Sequence, residues 1–399
     1  MKKWMILAIM IVTAVPGRGE VDPYLAGRAC MIQKKYDSAL VYLNGALEEE
    51  PGNTDILMNL GLCHFRMNQN PAAKEAFYEA DKRRKGIGSL YLAKTEVRLK
   101  HPELALKYLR EHLLSRYRVS EKEILLDPEL SQLERSPGWQ QLWNEKEWYS
   151  TSDLEFQEAL FLRDKGDALE AINMLNKLEK KNYQRTRVFT EKADVYDMLG
   201  NEKAARSALR SAVKSDIRNL DAVMKLSSLQ IESGDLEEAL TGLNRLIRQE
   251  PDRFEAYPLR ASARSKSGNL TGALEDLDLY LSYLPDHHEV IYQRGLIQYE
   301  HSRYLDAIHS FNRALEMDKG NADYYFARGR TYASTGTTRY AERDMSMALD
   351  LDPYNGEIWF EKGKIARKLG NVNTACHCFK KAVQYGVFEA GEFIDQSCN

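Results

Sequence analysis

The chain has 399 residues, 43% hydrophobic and 29% charged, the balance of a folded polypeptide rather than a disordered one. Its 56 Lys and Arg against 59 Asp and Glu give a formal charge of −3, without the basic excess of a nucleic-acid binder. Five Cys exclude a disulfide-dense scaffold, and 11 Pro with 24 Gly exclude collagen-like or low-complexity character.

The first element is an address. Lys2 and Lys3 precede an apolar run from Trp4 to Val15, broken only by Thr13, and Pro16, Gly17 and Gly19 follow. This charged, apolar, small-residue order predicts a secretory signal peptide over 1–19. The run is shorter than the ~20 residues that span a bilayer, so no integral membrane segment is expected after cleavage. Cys30, preceded by Arg28 and Ala29, does not read as a lipidation site. Losing Lys2, Lys3 and Arg18 would take the formal charge to −6. The expectation is an exported, mildly acidic protein, periplasmic or extracellular, in a Gram-negative-like bacterium.

From residue 20 a period of 34 takes over. Ala171, Ala205, Ala239, Ala273, Ala307, Ala341 and Ala375 follow one another without an insertion, and Ala39 and Ala73 keep the same interval. Twelve residues before each stands Gly27, Gly61, Ala159, Ala193, Ser227, Ala261, Gly295, Gly329 or Gly363. Five residues before, Gly166, Gly200, Gly234, Gly268, Gly336 and Gly370 recur. The two small slots are expected mid-helix, as mutual counterparts where paired helices approach closely. The intervening Gly should end the first helix, and Pro51, Pro251, Pro285 or Pro353 the second. Each unit is then a helix–turn–helix hairpin that buries its apolar face only against its neighbours.

The spacing slips once. Ala73 to Ala105 is 32 residues, which marks 86–119 as a degenerate copy using Ala93 and Ala105, with Glu103 to Leu109 as second helix. Residues 120–151 have room for another helix pair but lack the small slots, and they hold Trp139, Trp143 and Trp148. Two readings stay open for this stretch: an irregular helical pair with Trp packed between two repeat blocks, or a hinge or docking surface.

The segment NADYYFARGRTYASTGTTRYAERDMSMALDLDP, from Asn321 to Pro353, resembles a tetratricopeptide repeat. So does Gly356 to Ala382, with Trp359, Gly363, Gly370, Ala375, Phe379 and Ala382 in the family's signature slots. The resemblance covers about 20–119 and 152–387, and the stretch LDPELSQLERSPGWQQLWNEKEW resembles the atypical end-unit of some members. It implies an all-α, right-handed superhelical solenoid of hairpins with a C-terminal capping helix. The expected organisation is a signal peptide at 1–19, about three repeats at 20–119, a Trp-rich linker at 120–151, seven in-register repeats at 152–387 and a cap at 388–399. Phe388, Phe393 and Ile394 should cover the last repeat after Gly386 ends its second helix.

Little in the sequence suggests bond-making chemistry. There is no HExxH, GxSxG or Gly-rich phosphate loop, so neither enzyme activity nor a cofactor is expected. Cys376 and Cys378 would point about 200° apart on a helix, which suits no metal. In an exported chain a Cys376–Cys398 disulfide is preferred, with Cys378 as the alternative partner. For Cys30 and Cys63 a bridge and free buried thiols both stay open. His287 and His288 read as a solvated turn, Glu275, Asp276 and Asp278 as a solvated stretch, and His101 and His112 show no carboxylate or Cys pattern. Asn269-Leu270-Thr271 matches a glycosylation acceptor.

In the family the resemblance names, first helices line a concave groove that binds peptides or partner helices. The matching positions here are Tyr292, Leu296 and Tyr299, then Phe326 and Arg330, then Phe360, Lys364, Arg367 and Lys368. Aromatic and basic groups together suit a protein or peptide ligand with acidic residues; the competing reading has the rings packing neighbouring helices. The family's carboxylate clamp is not reproduced. The expected function is a non-catalytic interaction scaffold of the cell envelope; the alternative is a glycan-binding or nutrient-uptake accessory, which requires exposed aromatics gathered in one patch.

Overall fold

A computed structural model describes residues 21–145 and 148–398; the expected signal peptide lies outside them. Among the described residues all regular structure is helical, and the chain divides into two compact units, residues 1–154 and 155–399.

The N-terminal unit contains three hairpins: α1 (Pro23–Ile32) with α2 (Tyr36–Glu49), α3 (Thr54–Arg66) with α4 (Asn70–Arg83), and α5 (Ser89–Arg98) with α6 (Pro102–Leu114). First helices start where a polar side chain can satisfy free amides. Asp22 accepts from the Leu25 N–H at 3.0 Å, and Asn53 from the Asp55 and Ile56 N–H groups. Then come α7 (Glu121–Leu125), a 3₁₀ turn (Leu130–Leu133) and α8 (Pro137–Glu145). Trp139 and Trp148 are buried, and Trp143 partly so, in one core with Ala93, Leu109, Leu113 and Ile124. The Trp-rich stretch therefore packs onto the α5–α6 hairpin of its own unit. Lys94–Asp127 and Arg98–Glu129 ion pairs, and the Trp148 indole N–H donating to the Leu142 carbonyl at 2.9 Å, hold it there.

The missing two residues come out of the start of α5, which has 10 residues against 13 in α3, although the turn that precedes it, 84–88, is not shortened. The backbone there is so close that a Cβ on Gly88 would lie 2.4 Å from the Phe77 carbonyl oxygen. Asp81, only 6% exposed, fills the corner. Its Oδ1 accepts from the Gly86 N–H at 3.1 Å, the Gly88 N–H at 3.0 Å and the Ser89 hydroxyl at 2.9 Å. Three donors on one oxygen offset the desolvation of a buried carboxylate.

The division between units falls within α9 (Thr151–Lys165). The C-terminal unit stacks α9 with α10 (Ala168–Lys180), α11 (Arg185–Met198) with α12 (Glu202–Ser215), and α13 (Leu220–Ser233) with α14 (Leu236–Gln249). α15 (Ala256–Lys266) with α16 (Leu270–Tyr283), α17 (His288–Glu300) with α18 (Tyr304–Met317), α19 (Ala322–Ser334) with α20 (Thr338–Leu351), and α21 (Gly356–Lys368) with α22 (Val372–Gln384) complete it. First helices α13, α15, α17, α19 and α21 each touch the next, forming a continuous face.

The period works by size pairing, and here the structure corrects the sequence reading. The small residue of a first helix lies nearest the side chain sixteen residues on, and at Gly329 the Ala341 carbonyl twelve residues on is also within 3.4 Å of an added Cβ. A Cβ on Gly61, Gly295 or Gly363 would lie 2.5 Å from the ring of Phe77, Phe311 or Phe379. Gly329 meets Met345 and Gly27 meets Leu43 in the same way. Where the first slot is Ala159, Ala193 or Ala261, the residue sixteen on is the smaller Leu175, Leu209 or Leu277. Turns follow the expected rule: Gly166, Gly200, Gly234, Gly268, Gly336 and Gly370 all have positive φ. Lys34, Asn68, Lys100 and Ser302 occupy the same slot in other copies at φ 58°, 58°, 64° and 59°.

A second, polar device sits in the seams of the C-terminal unit. Arg260 donates to both Asp276 carboxylate oxygens, at 3.0 and 2.6 Å, and to Asn244 at 2.9 Å. Two repeats on, Arg328 does the same with Asp344, at 2.7 and 2.8 Å, and with Asn312 at 2.7 Å. Asp276 is thus buried at 3% side-chain exposure, not solvated, because its third-residue offset from Ala273 turns it inward. Glu275 is exposed, and Asp278 pairs with Arg294.

The cap also differs in detail. Helix α23 (Ala390–Ser397) begins two residues after the expected start. Phe393 and Ile394 pack on Phe360 and Phe379, while Phe388 is 79% exposed. Gly386, at φ 96°, redirects the chain so that Val387 and Ala390 take the inward positions instead.

Candidate binding face

The candidate groove residues separate into a packing set and an open set. Tyr292 lies 4.6 Å from Tyr324 and 5.7 Å from Phe311 between ring centroids, and burial pushes its phenol up to about 12. Leu296 packs with it against Ala307, Phe311 and Ala327. Phe326 packs on the Ala341–Met345 core. Phe360 is only 4% exposed, because the capping helix lays Phe393 across it edge-on at 5.2 Å; it is closed off from the groove.

The open set converges. Tyr299 from α17, Arg330 from α19 and Lys364 and Lys368 from α21 line a cleft of about 400 Å³, with Ser334 and Glu361 in its wall. The Arg330 guanidinium lies 5.3 Å from the Tyr299 ring and 5.7 Å from the Phe326 ring. Lys364 lies 4.5 Å over Phe360 and pairs with Glu361. Arg367 stacks over Phe393 at 4.8 Å. Among the described residues Arg330 and Lys368 have no carboxylate partner. Ring faces hold Arg330 in place without neutralising it. Ser334 lies off the rows read from the sequence, and Glu361 was read there only as a departure from the family's carboxylate clamp.

Other sequence candidates serve the fold. The Cys376 and Cys398 sulfurs are bonded, with Cα atoms 5.4 Å apart, tying the end of α23 to α22. Cys30, Cys63 and Cys378 are free thiols; burial pushes Cys63 and Cys378 up to about 11, which leaves them poor nucleophiles. His287 is exposed in the turn before α17, as read from the sequence, while His288 is half-buried in the first turn of that helix. His287 stacks on Tyr280 at 5.4 Å, and His288 Nδ1 lies 2.8 Å from the Tyr324 hydroxyl. His101 does have a carboxylate beside it: the fully buried Glu96 lies 2.9 Å from its Nδ1 and 2.8 Å from Lys74. His112 is buried, accepts the Val119 N–H at 3.1 Å, and is pushed down to about 4 by burial, with the Lys94 charge adding. The Asn269 side chain is engaged as the cap of α16, accepting the Gly272 N–H at 2.9 Å.

Among the described residues no group of three or more His, Cys, Asp or Glu is placed to hold a metal, and no helix is long and apolar enough to cross a membrane. Aromatic clusters run through the repeat seams, as at Phe254–Tyr257–Tyr280 and Tyr292–Phe311–Tyr324, rather than gathering in one exposed patch.

A solved structure with the same fold is similar to this chain. A tetratricopeptide repeat protein from Parabacteroides merdae is similar at 20% identity and TM-score 0.53, over 62% of this chain and 99% of its own. The C-terminal part of a TPR repeat-containing protein from Cytophaga hutchinsonii matches at 19% identity and TM-score 0.46, over 58% and 95%. Yeast Tom70 matches at 13% identity and TM-score 0.43, over 94% of both chains. No curated protein matches in sequence. Models of the tetratricopeptide repeat match residues 31–85, 198–263, 292–355 and 356–385, together over half of the chain. With repeat models along its length and hairpins in both units, the chain belongs to the tetratricopeptide repeat family.

Proposed function

We propose that this protein is a non-catalytic scaffold of the cell envelope that holds an acidic segment of a partner protein against the first-helix face of α17, α19 and α21. The family's role in binding protein partners supports the scaffold class. One observation carries the specific reading: Arg330 and Lys368 line a cleft with Tyr299, the Glu361 carboxylate in its wall is paired with Lys364, and among the described residues neither Arg330 nor Lys368 has an ion-pair partner. An extended peptide bearing two acidic residues would meet both cations there. The envelope setting rests on the order of residues 1–19. The aromatic distribution lends no support to the glycan reading.

The test compares the chain 20–399 with its Arg330→Glu, Lys368→Glu variant as baits in envelope extract, with circular dichroism confirming that both fold. Partner retention should fall about tenfold or more in the variant and weaken with salt in the native bait. Equal retention by both baits would refute the groove reading. Mass spectrometry of the exported protein should find Glu20 as first residue; a retained Met1 would remove the envelope assignment.

A further inference from the structure

A second cleft of about 400 Å³ lies away from this face, in the seam between α12, α13 and α14. Val213, Ile217 and Leu226 form its apolar floor, Gly242 opens it, and Glu237 and Arg245 stand at its mouth. The register explains why it is empty. Leu226 holds the slot that Arg260 holds one repeat later, and Gly242 the slot of Asp276. The charged device that fills the later seams is therefore missing here. In the N-terminal unit the same first slot holds Ala26, Leu60 and Leu92; opposite Leu60 stands the small Ala76, and opposite Leu92 the chain fills the second slot with Tyr108, whose ring packs against the Ala93–Leu109 and Phe77–Leu92 cores. The Leu226 seam keeps the Leu and lacks the ring. A Cβ added at Gly242 would meet nothing nearer than the Ser227 hydroxyl at 3.9 Å, so the space is accessible.

We infer that this seam takes an aromatic side chain from a partner polypeptide, in the position Tyr108 occupies within its own unit. The floor matches a ring, and the volume sits at the low end of ligand clefts. Glu237 and Arg245 are exposed and, among the described residues, without an ion partner. They complement a segment with a basic and an acidic residue flanking the ring. This site is independent of the α17–α21 cleft.

The probes are acetyl-Lys-Tyr-Glu amide, its reversed sequence, and p-cresol as the bare side chain, titrated by NMR against the chain 20–399. The better tripeptide should saturate, with p-cresol about tenfold weaker or more. Gly242→Ala should keep tripeptide binding, since it improves the helix without filling the cleft. Gly242→Tyr should raise the melting temperature and lower binding about tenfold or more, by supplying the ring in cis. The surface variant Glu237→Lys, Arg245→Glu, which leaves the core untouched, should weaken the tripeptide and spare p-cresol. No saturation by the native chain, unchanged binding in Gly242→Tyr, or p-cresol as tight as the tripeptide would each overturn the inference. The last outcome would make the cleft a small-molecule pocket.

Discussion

The α4–α5 corner and the α14–α16 seam solve one problem differently: how a second helix closes onto the next first helix. In the seam the turn keeps its full length, and a side-chain set, Asn244–Arg260–Asp276, ties three helices together. At the corner the next first helix, α5, is cut to 10 residues, and backbone amides of Gly86 and Gly88 in the turn before it come within reach of Asp81. Side-chain pairing leaves the backbone geometry free and can recur, as it does at Arg328. Backbone pairing demands glycines and cannot repeat. Past the corner the 34-residue pattern breaks down, and the hairpin is completed by a Trp-lined stretch instead of another copy.

The strongest way to break the comparison is Asp81→Ala. It strands two amides and a hydroxyl in a corner too tight for water, and should cost on the order of 3–5 kcal/mol by urea denaturation. Asp276→Ala leaves guanidiniums that still reach solvent and should cost about 2 kcal/mol. Equal losses would mean the corner is no stiffer than the seam. Next is Gly363→Ala, which drives a methyl into the Phe379 ring and should cost about 1–3 kcal/mol. Adding Phe379→Leu should recover part of that loss, by recreating the Ala159–Leu175 pairing; no recovery would refute size pairing.

Acid should separate the regions further. Burial holds His112 down to about 4, below the ~6.5 of an unfolded His. Between those values the unfolded chain binds the extra proton, so stability contributed by neutral His112 is full above about pH 6.5 and falls as the pH drops towards 4. At ~1.4 kcal/mol per unit the loss reaches about 3 kcal/mol, and a His112→Gln variant should show a flatter pH profile across that window. The smallest effect is in the turns. Ser302→Gly and Lys100→Gly should each stabilise by about 1 kcal/mol, because a Cβ is disfavoured at their φ of 59° and 64°, and Gly336→Ala should do the reverse. Thermal melts check all three.

Much of the architecture could be read from spacing alone. Gly234 and Gly268 announce turns because few residues other than Gly adopt positive φ readily, and the deletion between Ala73 and Ala105 shows up as a change of interval. The candidate groove was only half legible. The 34-residue register placed Tyr292, Phe326 and Phe360 on one row and Leu296, Arg330 and Lys364 on the next, but it carries no information on what lies across from a row. Whether Phe360 faces a ligand or the cap depends on α23, whose own inward residues shifted when Gly386 turned the chain. Asp276 was misread for a related reason: its charge suggested solvent, while its offset from Ala273 pointed inward towards Arg260. Arg260, Arg294 and Arg328, spaced by 34, were the signal for the seams.

By itself, then, the sequence determined local conformation and repeat register, because turns and helix pairs depend on residues within about one period of each other. The tertiary structure decided which polar groups are buried in pairs, which cations come together at the α17–α21 cleft, and which seam is left unfilled. Those outcomes depend on the contents of neighbouring repeats at the same slot, and only stacking brings the slots into contact.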